Sequence, residues 1–206
     1  QASKDQVIPD DLITQGSGCF GFDCINNENF GSDTLRLKEN NLRIHFDDTS
    51  ASGAFPANDW RLVANDSANG GANYLAVEDA TSGRVPFLLT AVAPTGSIHV
   101  DSSGRVGFRT TTPVLDLQPS TGNTPALRLE QTAASGFTAQ TWDVGANEAN
   151  FFVRDVTNGS RLTLRIRPGA PTSSLDISAD GDVGLGTASP EAAVHVRRPD
   201  GYAESL

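Results

Sequence analysis

The chain has 206 residues, a formal net charge of −10 and an apolar content of 37%. An apolar share of this size is enough for a packed core, which argues against wholesale disorder. The negative charge repels phosphate backbones, so no nucleic acid is expected as a partner. No apolar run approaches the ~20 residues of a membrane-spanning helix, and membrane insertion is not expected either.

The composition favours short strands over helices. Methionine is absent, there are 20 glycines, and Ser, Thr, Asn and Asp are abundant, whereas long-stemmed helix formers are scarce. No amphipathic segment of about 12 residues is present, so almost no helix is expected. We therefore predict an all-β fold, built as tandem repeats of short antiparallel strands joined by tight turns.

The first landmark along the chain is a pair of cysteines, Cys19 and Cys24. Their spacing is not that of a Cys-x-x-Cys redox motif, and two ligands do not complete a zinc site. A local disulfide is the leading interpretation, with free buried thiols or a bridge between chains as alternatives. The first residue, Gln1, suggests removal of a signal peptide, which predicts a secreted, extracellular or cell-surface protein.

An internal repeat is the strongest signal in the sequence. Residues 94–118 match residues 171–195 without a gap at a constant offset of 77, and a fainter copy opens the chain at an offset of 86. A repeat of this kind is typical of modular, elongated proteins. The residues that define the motif are Gly18, Gly21, Gly104, Gly107, Pro113, Gly181, Gly184 and Pro190.

Further matches extend the repeat to most of the chain. Residues 35–39 resemble residues 127–131, and Trp60 corresponds to Trp142, each followed by an alternating segment. These matches divide the chain into an N-terminal glycine-motif segment, two repeat units, and the start of a further unit or an assembly tail. The corresponding ranges are residues 1–34, 35–118, 119–196 and 197–206.

Local sequence patterns predict two hairpins, and they also put two glycines inside strands. Asn158-Gly159 and Ser82-Gly83 each lie between alternating segments, which predicts a β-hairpin at both places. Gly107 and Gly184 lie inside strand patterns, where glycine normally weakens a sheet. They indicate either a bulge or the close approach of another backbone, for example where three chains meet near an axis.

The segment from Gly181 to Pro190 reads Gly-Asp-Val-Gly-Leu-Gly-Thr-Ala-Ser-Pro and continues to Val194-His195-Val196. It resembles the repeat Gly-x-Val-Gly-Ile-Gly-Thr-x-x-Pro, followed by Leu-His-Val, of stalks in phage tail-fibre-like and trimeric bacterial surface proteins. The resemblance implies a homotrimeric, β-rich extracellular fibre, arranged as a β-prism or an interwoven β-helix. The copy at Gly104 departs from this pattern, because Arg109 replaces the third glycine.

The residue pattern offers no catalytic centre, cofactor site or metal site. No nucleophile elbow or His-Glu-x-x-His motif occurs, and the three histidines, His45, His99 and His195, do not recur at equivalent positions in both units. The acidic pairs at residues 47–48 and 180–182 fit turns better than a calcium loop. The protein is therefore not expected to be an enzyme.

Two non-enzymatic functions remain. The first is a structural subunit of a fibre, filament or appendage, whose partner is the protein itself as a homotrimer or polymer. In this interpretation Trp60 and Trp142 pack in a core or between chains. The second is an adhesin that binds a surface glycan, with the tryptophans as sugar-stacking platforms and the loops at residues 51–56 and 64–72 as the contact sites.

Overall fold

The computed structural model describes residues 7–51 and 53–197. These residues form sixteen β-strands and one short 3₁₀ turn, Ala133–Ser135, and contain no α-helix. The prediction of an all-β protein is therefore confirmed at this level. The described strands belong to five small sheets. These divide between two compact units, and the boundary in the sequence lies between Pro94 and Thr95.

The first unit holds two sheets. A parallel pair consists of β1 (Gly18–Phe20) and β2 (Leu35–Leu37). It is followed by a four-stranded antiparallel meander of β3 (Leu42–Phe46), β4 (Trp60–Ala64), β5 (Tyr74–Asp79) and β6 (Arg84–Thr90).

The second unit holds the same two kinds of sheet. Two three-stranded sheets flank a four-stranded antiparallel meander in chain order. The first is formed by β7 (His99–Val100), β8 (Val106–Phe108) and β9 (Leu117–Pro119). The meander comprises β10 (Ala126–Gln131), β11 (Gln140–Ala146), β12 (Phe151–Asp155) and β13 (Arg161–Ile166). The last sheet contains β14 (Asp176–Ile177), β15 (Val183–Leu185) and β16 (Val194–Val196).

Both predicted hairpins are present, and both are closed by the same device. The carboxylate of Asp79 accepts hydrogen bonds from Ser82 N and Ser82 Oγ at 3.1 and 2.7 Å. The carboxylate of Asp155 accepts from Asn158 N and Asn158 Nδ2 at 3.1 and 2.7 Å. Aspartate at the end of one strand thus fixes the turn into the next, which explains why this aspartate recurs in the repeat.

The repeat register at the N-terminus differs from the sequence match by two residues. Gly18 pairs with Leu35 in the way that Val106 pairs with Leu117 and Val183 with Val194. The structural offset between the first two motifs is therefore 106 − 18 = 88, whereas the sequence match placed Gly18 on Gly104 at an offset of 86.

The corrected register changes the assignment of two residues. Cys19 takes the place of Gly107, and Gly21 takes the place of Gly186. Backbone packing explains the second equivalence, because a Cβ on Gly21 would overlap the carbonyl oxygen of Lys38. A Cβ on Gly186 would overlap that of Arg197, in the same position of the next motif.

Residues 35–39 also take a different place from the one that the sequence match gave them. Leu35–Leu37 form the parallel partner strand of a glycine motif, which makes β2 equivalent to β9 and β16. The strand equivalent to β10 is β3, since both open an antiparallel meander. Alternation of leucine and a charged residue occurs in any half-exposed strand. This pattern alone therefore did not distinguish the partner strand of a glycine motif from the first strand of a meander.

Little of the apolar content is buried within a single chain. Among the described residues the buried aliphatic and aromatic side chains are Val63, Ala76 and Phe152. The accessible surface is 16,234 Å², whereas two separate globular domains of half this mass would expose roughly 11,000 Å² together. The described residues thus form sheets without enclosing a core of ordinary size.

Candidate assembly surface

One face of the first meander is apolar from edge to edge. Residues directly opposite each other on neighbouring strands point to the same side of the sheet, and the row through Ile44, Leu62, Val77 and Phe87 crosses all four strands. Most of these side chains remain exposed; Leu75, for example, keeps 50% of its surface. The large apolar residues of this face are Leu42, Ile44, Phe46, Trp60, Leu62, Leu75, Val77, Phe87 and Leu89.

The second meander presents the same kind of face. The central row contains Leu127, Val144, Val153 and Leu164. Leu127 keeps 63% of its surface exposed, although it lies in a regular strand with apolar neighbours. The large apolar residues of this face are Leu127, Leu129, Trp142, Val144, Phe151, Val153, Leu164 and Ile166. We refer to these two sets of residues as the apolar faces.

The glycine motifs expose apolar side chains at repeating positions as well. Phe20, Phe108 and Leu185 end the middle strand of their motifs, and all three are exposed. Large contiguous apolar patches of this kind are rare on monomeric soluble proteins and mark interaction surfaces. Because they recur at the same position of each repeat, they are a property of the repeat itself.

The tryptophans lie on the apolar faces rather than in a core within the chain. Trp60 pairs with Phe46 and Asp79, and Trp142 pairs with Leu129 and Asp155. Trp60 is 41% exposed, so packing in a core of its own chain is wrong for this residue.

The opposite face of the second meander holds an ion cluster around Asp143. The Asp143 carboxylate accepts hydrogen bonds from Arg128 Nε at 2.8 Å, Arg128 Nη2 at 3.1 Å and Arg154 Nη2 at 2.5 Å. Its side chain is only 2% exposed. The guanidinium groups of Arg128 and then Arg154 lower the pKa of Asp143 to about 2, against the opposing effect of burial. Charge-assisted, bidentate bonds of this kind fix the register of the three strands.

The first meander carries the reversed arrangement at the equivalent positions. Arg61 stands where the second meander has Asp143, and Glu78 stands where it has Arg154, as their pairing registers show. Arg61 Nη1 lies 3.6 Å from Glu78 Oε1, and both side chains are partly exposed. Both meanders thus have a pair of opposite charges at these two positions. The basic residue lies on β4 in the first meander and on β12 in the second.

Gly107 and Gly184 meet their own chain rather than a neighbouring one. A Cβ on Gly107 would overlap the carbonyl oxygen of Thr110, and a Cβ on Gly184 that of Thr187. The chain turns back over each glycine three residues later, so close approach of a backbone is the correct explanation. The idea that other chains supply that backbone near an axis is wrong for these two positions.

The two prolines of the motif lie between the parallel strands. Pro113 is buried, and its carbonyl oxygen accepts a hydrogen bond from Arg105 Nη1 at 3.3 Å. Pro190 occupies the matching place between β15 and β16 and is half-buried. A residue with fixed φ and no N–H suits this irregular crossover.

At the N-terminal motif a disulfide replaces the tight turn over the glycine. Cys19 stands where the other motifs have Gly107 and Gly184, and it is bonded to Cys24. Since Cys19 has a Cβ, the chain after it cannot fold back as closely, and it closes a wider loop. The loop presents Phe22, which is 98% exposed.

An ion cluster supports the strand beside that loop. Glu28 accepts hydrogen bonds from Arg36 Nη1 at 2.8 Å and from Lys38 Nζ at 3.1 Å. These bonds, with Lys38 contributing most, lower the pKa of Glu28. Arg36 also bonds Asp33, at 2.6 Å. The cluster connects β2 to the segment between β1 and β2. The sequence alone did not predict this cluster.

Neither a metal site nor a spanning helix occurs in the part of the chain that the structure describes. Residues 7–51 and 53–197 contain no group of three or more His, Cys, Asp or Glu side chains that could hold a metal ion. Within the same residues no helix is long and apolar enough to cross a membrane. His195 has a local role, since its Nδ1 accepts a hydrogen bond from Glu191 N at 3.2 Å.

Comparison with known proteins gives no family for this chain. No protein-family model matches it, and no curated protein does.

Proposed function

We propose that this protein is a structural subunit of an extracellular fibre, filament or surface appendage that associates with further copies of itself through its apolar faces. The proposal rests on one observation above all. Each meander leaves a face of eight or nine mostly apolar side chains exposed, while the described part of the chain buries only Val63, Ala76 and Phe152 among its aliphatic and aromatic residues. Covering these faces supplies the missing core.

The size of the meanders suits a three-fold arrangement. Four strands spaced ~4.8 Å apart make a sheet ~19 Å wide. Three such sheets closed into a triangular prism would each lie ~5.5 Å from the axis, about half the ~10 Å separation of packed sheets. Side chains from the three apolar faces would therefore meet at the axis without a channel. This agrees with the homotrimeric prism that the resemblance of the glycine motif implies.

The disulfide is consistent with a secreted protein. Disulfides persist in oxidising compartments and are rare in the cytosol. The Cys19–Cys24 bond closes a short loop within one chain, so it does not itself join copies.

Light scattering coupled to size exclusion tests the proposal directly. A mass of three times 21.7 kDa, or a series of larger polymers, is expected for the wild-type protein. A homogeneous species of 21.7 kDa that persists at high concentration would contradict self-association.

A charge placed in the centre of an apolar face is expected to prevent assembly. In Leu62→Glu, the carboxylate would lie in the middle of the row from Ile44 to Phe87, where neighbouring copies would have to desolvate it. We expect the mass to fall to 21.7 kDa while the β-sheet circular dichroism is retained.

The matched control is Thr90→Glu, which adds the same charge at an exposed position on the opposite face of the same sheet. This variant is expected to keep the wild-type mass. If Leu62→Glu also keeps it, the apolar face of the first meander is not the contact surface.

A second candidate function, glycan binding by an adhesin, is favoured by a recess beside Trp142. Leu129, Glu130, Gln131 and Gln140 line it together with the ring, and its volume is about 420 Å³. An aromatic face beside amide and carboxylate groups is a combination that suits a sugar ring. On a glycan array, Trp142→Ala should lose every signal that the wild-type protein gives; an array without any wild-type signal would remove this candidate.

A further inference from the structure

The glycine motif at the N-terminus is incomplete in a specific way. In the two complete motifs the middle strand is paired on both edges: β8 lies antiparallel to β7 and parallel to β9, and β15 has the same neighbours in β14 and β16. Among the described residues β1 pairs with β2 alone. Its second edge, where β7 and β14 lie in the complete motifs, carries no strand from the described residues.

The complete motifs show how that edge is normally filled. A tight turn joins β7 to β8, in which Gly104 N donates to Asp101 O at 3.0 Å. The Asp101 carboxylate accepts from Ser103 N and Arg105 N at 2.8 and 2.9 Å. In the last motif Gly181 N donates to Ser178 O at 3.0 Å, and Ser178 Oγ donates to Asp182 O at 3.1 Å. A polar side chain therefore closes each turn.

The N-terminal motif lacks this closure. At the structural offset of 88, Ile13 stands in the place of Asp101 and Gly16 in the place of Gly104. The isoleucine side chain has no hydrogen-bonding atom. Gly16 has a φ of 156°, whereas Gly104 and Gly181 have φ values of 80° and 93°. The chain bends at Gln15 and Gly16, but among the described residues no hydrogen bond like that of Gly104 N closes a turn there, and residues 11–12 do not pair with β1.

The segment that would complete the sheet is nevertheless present in the sequence. Leu12 occupies the position of Val100 and Ile177, the apolar residues of β7 and β14. Leu12 and Ile13 are 69% and 83% exposed, so this segment is unpartnered within its own chain. A motif with an unpaired strand edge, a matching apolar segment before it and a connection that lacks the closing hydrogen bonds has the features of a strand that exchanges between identical chains.

We propose that residues 11–12 of one copy form the missing strand on β1 of a second copy. Leu12 would lie opposite Gly18, and Asp11 opposite Cys19, as Val100 and His99 lie opposite Val106 and Gly107. Main-chain hydrogen bonds supply the pairing, and the burial of Leu12 adds to it. The inference rests on the proposed self-association and adds that the chains are interlocked at their N-terminal motif.

The experiment uses a photo-crosslinking residue in the full chain. Leu12→p-benzoylphenylalanine is irradiated in the assembled protein, and the products are separated under denaturing conditions and mapped by mass spectrometry. The expected result is a covalent product of twice the chain mass, with the crosslink at residues 18–20. A product of single-chain mass with the crosslink at residues 18–20, or no crosslink there, overturns the inference.

Two further variants make the result specific. The same photo-crosslinking residue in place of Val92, which is equally free in its own chain, should give no product at residues 18–20. Ile13→Asp, combined with the Leu12 probe, restores the polar turn residue and should convert the crosslink from between chains to within one chain. Light scattering on the protein that carries the Leu12 probe and keeps Ile13 separates the two hypotheses: an oligomer with an intrachain crosslink contradicts only the exchange, whereas a monomer contradicts the proposed function as well.

Discussion

Gly184→Ala is expected to destabilise the protein by about 3 kcal/mol, the upper part of the range for an overpacked site. The methyl group would overlap the carbonyl oxygen of Thr187, and both residues are buried. Since the obstacle is backbone rather than a flexible side chain, the turn after β15 has to move, and its hydrogen bonds move with it. Denaturant unfolding at a fixed protein concentration measures the effect, because the stability of an assembly depends on concentration.

Gly122→Ala is the matched control for this effect. A Cβ at Gly122 meets no atom within 4 Å, and the residue does not have a positive φ. Its replacement is therefore expected to change the free energy of unfolding by less than about 1 kcal/mol. Equal effects of the two substitutions would mean that the carbonyl of Thr187 does not constrain position 184.

Asp143→Asn is expected to destabilise the second meander by about 3 kcal/mol, at the lower end of the range for removing one partner of a buried ion pair. The amide keeps the shape of the side chain but leaves Arg128 and Arg154 without their shared counter-charge. The lower end applies because both arginines retain access to solvent, which stabilises their unpaired charges. Glu78→Gln, which removes the equivalent but more exposed pair with Arg61, should cost less than about 1 kcal/mol.

The pH dependence of unfolding provides an independent check on Asp143. Its pKa is about 2 in the folded protein and about 3.8 as a free side chain. A lowered pKa means that the folded state favours the charged form, so the contribution is complete above about pH 4 and is lost as the pH falls towards 2. The wild-type protein should lose about 2 kcal/mol over this interval through Asp143. Asp143→Asn should lack that part of the loss, and a pH profile identical to that of the wild type would contradict the assignment.

The unpaired edge of β1 and the apolar faces have a common physical origin. A unit of ~80 residues that consists of one four-stranded meander and one smaller glycine-motif sheet cannot enclose all its apolar side chains by itself. Each meander therefore exposes one apolar face, and the proposed association with further copies would remove that surface from water. The order of charges at Arg61–Glu78 and Asp143–Arg154 differs between the units, whereas the central row of the opposite face is apolar in both.

The sequence by itself determined the fold class, the hairpin positions and most of the repeat. Turn residues such as Asn158-Gly159 and the alternation around Leu162 act locally, so their effect can be read from neighbouring residues. The glycine motif could also be recognised in the sequence, because its glycines and proline recur at a fixed offset. The sequence did not determine the register of the fainter N-terminal copy. Cys19 occupies the position at which the other two motifs have Gly107 and Gly184, and the loop that follows it is different.

The tertiary structure alone decided which residues come together across the chain. Asp143 gathers Arg128 and Arg154 from positions 15 and 11 residues away, and no local pattern distinguishes these arginines from others on exposed strands. The structure also placed Trp60 on an exposed face and gave Gly107 and Gly184 a backbone neighbour from their own chain. In each case the deciding factor is a contact between segments, and its geometry depends on the pairing register of strands, which alternating sequences leave open.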